Sequence, residues 1–129
     1  MKGVSLLKER GYIEKLWREE KYRVLLHSQS HYNAIRERLK HNPSYNEINL
    51  IVKEAIQIPP SQGSVMNAYD HMWGYFKKLA TEEEKETATK LKQQFKHQDI
   101  PIEDLLSFLR SLAYQYDVQY LKDSTVLKV

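Results

Sequence analysis

The chain has 129 residues and a net charge of +3, with 41% hydrophobic residues, 29% charged residues and no cysteine. This length suits one domain with its own core. The lack of cysteine excludes disulfides, thiolate nucleophiles and cysteine-ligated zinc or iron–sulfur clusters from the chain. No apolar run approaches the roughly 20 residues that cross a bilayer, and the first ten residues lack the features of a secretory signal. We therefore expect a single cytoplasmic domain over residues 1–129 with no membrane segment.

Apolar residues recur at helical spacing through the first 42 residues of the chain. They predict a first long helix that ends near His27. Ser28 or Ser30 then suits the N-cap of a second helix. That helix is expected to end at "HNP", because Pro43 disfavours the α conformation in the residue before it.

Two capping boxes predict the starts of the third and fifth helices. Ser44 is followed three residues later by Glu47, and Thr81 is followed in the same way by Glu84. In such a box the serine or threonine accepts a hydrogen bond from the later amide, and the glutamate accepts one from the earlier amide.

The remaining signals place two more helices and a tail. A fourth helix is expected from about Val65 to Leu79, and a sixth is expected to have Pro101 in its first turn. Gly74 lies inside the fourth, where glycine costs about 1 kcal/mol relative to alanine. We therefore expect a close approach to the backbone there, by a crossing helix or, as the alternative, by a ligand. The tail after Leu121 is expected to be a short strand or frayed coil. Together, these helix signals predict an all-α, single-domain bundle of about six helices with short connections.

The sequence "HSQSH" could be read as a metal pair, because His27 and His31 are four residues apart. Such spacing aligns two side chains only on an unbroken helix, and Ser28 and Ser30 favour a junction between helices. The chain also has no "HExxH" zinc motif and no "GxSxG" nucleophile turn. We therefore expect a helix corner here, with no metal and no cofactor.

Positive charge and aromatic rings concentrate in two segments. Residues 1–42 hold ten Lys/Arg against five Asp/Glu, a balance of +5, whereas the rest of the chain has a balance of −2. "WREEKYRVLLHSQSHY" and "YDHMWGYFKKL" interleave rings with cations. Nucleic-acid surfaces need cations for phosphates and flat rings for unpaired bases. The pattern suits contact with RNA, but an ordinary solvated helix surface, with rings such as Trp17 and Phe76 in the core, would give the same pattern.

Three segments of the sequence resemble the YbgA-like domain family. They are "KYRVLLHSQSHY", "NAYDHMWGYFKKLATEEEK" and, more loosely, "IPIEDLLSFLRSLAYQY". The resemblance implies an all-helical domain of unknown function, found alone or fused to an iron–sulfur desulfidase. In such fusions it would help to hold tRNA while sulfur is removed from thiolated uridine. The ending "YLKDSTVLKV" departs from the family's usual tail.

The resemblance carries over to particular positions. From the first motif it implies roles for Lys21, His27, Ser28 and Tyr32, and from the second for Asn67, His71, Gly74, Tyr75, Phe76, Lys77 and Lys78. Together with the interleaved cations, this makes the predicted RNA contacts Arg18, Lys21, Arg23, His27, Ser28, Tyr32, His71, Tyr75, Lys77 and Lys78. The implied partners are tRNA or another RNA and a separate desulfidase protein.

Two other functions are compatible with the same residues. A protein-interaction module would present a contiguous apolar patch instead of a cationic groove. A small enzyme would bring His27 and His71 together as general acid and base. Convergence of both histidines with Lys21 and Lys77 in one cleft would favour RNA binding or catalysis. Bonding of the His27 ring to backbone carbonyls would make it a structural residue.

Overall fold

Seven α-helices and two 3₁₀ turns make up residues 6–128, the part of the protein that the structure, a computed structural model, describes. The helices are α1 (Leu6–His27), α2 (Gln29–Arg38), α3 (Tyr45–Ile56), α4 (Gln62–Trp73), α5 (Glu82–Lys96), α6 (Ile102–Gln115) and α7 (Gln119–Lys122). The 3₁₀ turns are Leu39–His41 and Thr125–Leu127. Residues 6–128 contain no strand. The predicted all-α fold is confirmed, with one short helix more than expected.

The corner at "HSQSH" is a break between α1 and α2. Ser28 has extended backbone angles, φ −159° and ψ 111°, and its Oγ accepts a hydrogen bond from the amide of His31 at 3.2 Å. This is an N-cap, which satisfies an amide that has no partner within the helix. The predicted corner is confirmed.

The two predicted capping boxes form to different extents. At Thr81 the box is complete, since its hydroxyl accepts from the Glu84 amide at 3.1 Å and the Glu84 carboxylate accepts from the Thr81 amide at 2.9 Å. At Ser44 the hydroxyl accepts from the Glu47 amide at 3.1 Å. The Glu47 carboxylate, however, accepts a hydrogen bond from the guanidinium of Arg38. Both helix starts are where the sequence placed them.

Helix α1 lies at the centre of the packing. It contacts α2, α3, α4 and the C-terminal 3₁₀ turn, while α6 contacts α4, α5, α7 and the same turn. Fully buried side chains from these elements form one core, and burying each such side chain stabilises the fold by roughly 1.5–3 kcal/mol. The largest of them include Leu25, Ile35, Ile48, Met72, Phe76 and Leu109.

Helix α4 ends earlier than expected, and the prediction that another helix crosses at Gly74 is wrong. Gly74 is the C-cap, and residues 74–79 form turns. A Cβ on Gly74 would approach only the carbonyl groups of Asp70 and His71 in the preceding turn. The helix end redirects the chain so that Phe76 enters the core, which leaves Leu79 52% exposed.

The C-terminal segment is ordered and helical, so the expected strand or frayed coil is also wrong. Leu121 and Leu127 are buried, and the Thr125 hydroxyl lies 3.2 Å from the carbonyl oxygen of Glu19 and 2.9 Å from the carboxylate of Glu20. These contacts hold the segment against α1. Helical elements of three or four residues are too short for a periodic pattern to predict.

No helix within residues 6–128 combines the length and the apolar character that crossing a membrane requires. Two parts of the sequence predictions lie outside the described residues. They are residues 1–5 of the segment considered as a secretory signal, and Val129 at the end of the tail.

Candidate nucleic-acid interface

Three tyrosines from distant parts of the chain meet in one group, which we call the tyrosine cluster: Tyr22 on α1, Tyr75 after α4 and Tyr120 on α7. The hydroxyls of Tyr22 and Tyr75 are hydrogen-bonded at 2.9 Å. The rings of Tyr75 and Tyr120 are stacked, with centroids 5.9 Å apart and planes 20° apart. Tyr22 meets both edge-on. Tyr22 is buried, whereas Tyr75 is 36% exposed.

The hydroxyls of Tyr22 and Tyr120 in the tyrosine cluster are neutral near pH 7. Burial, followed by the hydrogen bond to Tyr75, raises the pKa of Tyr22 well above its ordinary value. Burial likewise raises the pKa of Tyr120, with a further contribution from Tyr75 that outweighs the opposing effect of Arg18. These rings therefore offer stacking surfaces and neutral hydrogen-bonding groups.

Arg18 lies over the tyrosine cluster but is already paired. Its guanidinium carbon is 5.3 Å from the centroid of the Tyr120 ring, and its Nη1 donates to the Asp123 carboxylate at 2.8 Å. The hydrogen bond from Arg18, followed by one from Gln119, lowers the pKa of Asp123. Arg18 therefore fixes α7 against α1, in addition to the nucleic-acid contact predicted for it.

A second group of rings and cations adjoins the first. The rings of Trp17 and Tyr32 have centroids 5.6 Å apart, and the Arg36 guanidinium lies 5.8 Å from the Tyr32 ring. The Lys21 ammonium lies 5.7 Å from the Tyr22 ring. Both distances are within cation–π range. Burial, followed by repulsion from Arg36, lowers the pKa of Lys21.

The predicted histidines are bonded to the backbone. His27 Nδ1 is 2.7 Å from the carbonyl oxygen of Ile58, between α3 and α4. His71 Nδ1 is 2.8 Å from the carbonyl oxygen of Asn67, one turn earlier in α4. By the criterion set above, His27 is a structural residue at the corner, which counts against the histidine-dependent enzyme.

Ser28 and His31 are also occupied at the corner. Besides capping α2, Ser28 Oγ lies 2.7 Å from His31 Nδ1, and His31 Nε2 is 3.9 Å from a carboxylate oxygen of Glu54. This series of contacts, from Ser28 to His31 to Glu54, resembles a serine–histidine–carboxylate triad. However, the serine is bound to an amide as a cap, and the Glu54 side chain is 71% exposed. Within residues 6–128, no three His, Cys, Asp or Glu side chains are placed to hold a metal ion.

The remaining predicted cations differ in their partners. Arg23 reaches the Glu20 carboxylate at 3.4 Å. Lys77 and Lys78 are exposed in the segment after α4, two and three residues beyond Tyr75, and neither pairs with a carboxylate in the described part of the chain. Lys77 and Lys78 are thus available to an anionic ligand.

Four members of this surface are absent from the predicted contacts. They are Trp17, Tyr22, Arg36 and Tyr120. Tyr120 is 98 residues from Tyr22, and no periodic pattern links the two. The abundance of tyrosine, nine in the chain, was the only available signal.

Comparison with known proteins places this surface within a family. Residues 21–129 match the model of a family described as protein of unknown function (DUF1722). The chain belongs to the DUF1722 family. The match to DUF1722 includes Tyr22, Tyr75 and Tyr120, but not Arg18. No curated protein and no solved structure matches the chain.

Proposed function

We propose that this DUF1722 protein binds RNA, and that unpaired bases stack at the tyrosine cluster. The observation that carries the proposal is the partly exposed ring of Tyr75, stacked on Tyr120 and followed by the unpaired cations Lys77 and Lys78. Aromatic rings stack with any base, and nearby cations neutralise the phosphates of the strand.

Charge favours RNA over a protein partner at this surface. Three large exposed apolar side chains lie elsewhere in the described residues, on α1, α3 and α6, namely Tyr12, Leu50 and Tyr114, and a fourth, Leu79, directly follows Lys77 and Lys78. The tyrosine cluster differs in its neighbouring cations. Lys21 lies against the Tyr22 ring, and Lys77 and Lys78 follow Tyr75 in sequence. None of the three has a carboxylate partner within residues 6–128. Unpaired cations beside stacked rings suit a nucleic acid better than an apolar protein surface.

The finer part of the proposal concerns which RNA is bound. We propose tRNA, and that the protein holds it for a separate iron–sulfur desulfidase. The support is the resemblance of "KYRVLLHSQSHY" and "NAYDHMWGYFKKLATEEEK" to the YbgA-like motifs. With no cysteine, this chain offers no thiolate for such a cluster, so the chemistry would belong to the partner.

The proposal is tested by titrating the protein with total tRNA at low and at physiological salt. Replacing Lys77 and Lys78 by alanine together should flatten the salt dependence, because each phosphate contact on a single strand contributes a log–log slope of about 0.7. The matched control replaces Lys90 and Lys96 on α5, two exposed lysines that also lack carboxylate partners among residues 6–128.

Two results would contradict the proposal. The first is no tRNA binding at low salt. The second is an equal loss of salt dependence in the two double variants, because Lys77 and Lys78 would then act only through their general positive charge. If the tRNA is bound as proposed, adding the protein to a desulfidase reaction should lower the KM for thiolated tRNA while leaving kcat unchanged.

A further inference from the structure

Lys21 and Arg36 form a pair of cations, which we call the cationic pair, that no carboxylate within residues 6–128 neutralises. They come from different helices, α1 and α2. Nearby arginines on the same helices do have partners, since Arg23 reaches Glu20 and Arg38 bonds to Glu47. The pair differs from other cations without carboxylate partners, such as Lys77 and Lys90, because Lys21 and Arg36 are close enough to repel each other.

The cationic pair is held in place by aromatic rings. The ammonium of Lys21 lies against Tyr22, and the guanidinium of Arg36 lies against Tyr32. Lys21 is partly buried and close enough to Arg36 for repulsion to contribute, after burial, to its lowered pKa. Two like charges brought together in this way destabilise each other. An anion between them would remove that repulsion.

Tyr32, whose ring contacts Arg36 of the cationic pair, carries a further hydrogen-bonding group. The Tyr32 hydroxyl makes no hydrogen bond within the described part of the chain, although the residue is only 7% exposed. The Tyr22 hydroxyl, by contrast, is bonded to that of Tyr75. Phosphate oxygens accept hydrogen bonds from ammonium, guanidinium and phenol groups alike.

We infer that Lys21 and Arg36, assisted by the Tyr32 hydroxyl, bind one backbone phosphate of the RNA whose bases stack at the tyrosine cluster. This inference rests on the proposed function and assigns its phosphate subsite. The link between the two is geometric, because Lys21 lies on the ring of Tyr22, a member of the tyrosine cluster. A strand that stacks on Tyr75 would therefore pass beside the cationic pair.

The test uses the full chain and a short oligouridylate in which single phosphates are replaced, one at a time, by neutral methylphosphonate. Wild-type protein should lose affinity most strongly at one linkage. Lys21→Gln and Arg36→Gln should each reduce the salt slope by about 0.7. In these variants, methylphosphonate at that linkage should cause little further loss of affinity. Lys21→Arg, which keeps the charge, should restore both properties.

Lys15→Gln and Arg38→Gln are the matched controls, because they remove the same charge from the same two helices at exposed residues outside the cationic pair, and Arg38 has a carboxylate partner. They should leave the methylphosphonate profile as in wild type. Thermal melting of every variant shows whether it folds. If Lys21→Gln does not fold, Arg36→Gln and Lys21→Arg decide the question.

The outcomes separate this inference from the proposed function. RNA binding that still depends on Tyr75, with an unchanged salt slope and methylphosphonate profile in Lys21→Gln and Arg36→Gln, overturns the inference alone. No RNA binding by wild-type protein overturns both. Binding of polyglutamate but not RNA, abolished by Lys21→Gln, would assign the pair to an acidic protein partner and also overturns the inference.

Discussion

The corner between α1 and α2 and the tyrosine cluster each contain residues predicted to contact RNA, His27 and Ser28 at the corner and Tyr75 in the cluster, yet they use their polar groups differently. At the corner, Ser28 caps a helix and His27 bonds to the carbonyl of Ile58. At the tyrosine cluster, Tyr75 is partly exposed, and the neighbouring Lys77 and Lys78 have no carboxylate partners among residues 6–128. Polar groups already bonded to the backbone stabilise the fold, and those without protein partners are the better candidates for binding a ligand.

Tyr75→Ala should have the largest effect on RNA binding. Base–aromatic stacking contributes about 1–3 kcal/mol per base, so affinity should fall by roughly 5-fold to 150-fold. Tyr75→Phe keeps the ring and removes only the hydroxyl bond to Tyr22, and it should bind nearly as wild type. The measurement is fluorescence anisotropy with oligouridylate.

Tyr114→Ala is the control for that experiment, because Tyr114 is a 65% exposed tyrosine on α6, outside the tyrosine cluster. Its affinity should match that of wild type. Equal losses in Tyr75→Phe and Tyr75→Ala would assign the effect to the hydroxyl bond and contradict base stacking.

Ser28→Ala should show the opposite pattern, with a loss of stability and no loss of RNA affinity. Removing an N-cap costs about 1 kcal/mol, equivalent to roughly 2–6 °C in Tm for a chain of this size. Ser107→Ala is the matched control, since Ser107 is exposed within α6 and its side chain makes no hydrogen bond. A weaker affinity of folded Ser28→Ala for tRNA would place the corner in the interface.

Asp123→Asn should have the smallest effect, and one that depends on pH. Because Arg18 lowers the folded-state pKa of Asp123, the ionised pair stabilises the protein above the ordinary aspartate pKa of about 3.9. This stabilisation is lost as pH falls through the lower, folded-state pKa. The Tm of Asp123→Asn should therefore be lower than that of wild type at pH 7, by less than the deficit of Ser28→Ala because the ion pair is partly exposed, and the difference should shrink below pH 4.

Asp99→Asn is the control for the pH dependence, because Asp99 is exposed and its carboxylate has no side-chain partner in the described part of the chain. Its Tm should follow that of wild type from pH 7 to pH 3. A Tm deficit of Asp123→Asn that persists unchanged to pH 3 would show that the ion pair with Arg18 is not its cause.

Local signals predicted the helix starts well. Ser28, Ser44 and Thr81 act within three residues of their partners, so their roles can be read from the sequence. The cap at Ser61 escaped prediction because its capping box uses Ser64 in place of the usual glutamate or glutamine. The end of α4 was also misplaced, because the core position of Phe76, and not helix propensity, decides where the chain turns.

The interface was harder to predict, because its contacts are between distant residues. Tyr75 and Lys77 were identified by their motif, but the motif does not show that Tyr75 stacks on Tyr120. Nor does spacing reveal whether a cation has a partner: Arg36 and Arg38 are two residues apart on α2, yet only Arg38 bonds to a carboxylate in the described structure. Those differences depend on the packing of α1, α2 and α7.

The contact between Thr125 and Glu19 joins residues 106 positions apart, which has a consequence for synthesis on the ribosome. Helix α1 is made before the 3₁₀ turn that packs against it, in which Leu127 is buried. The nascent chain must therefore keep part of α1 exposed until residues 125–127 have emerged. Contacts over such long separations also slow folding, so this side of the core is expected to form late.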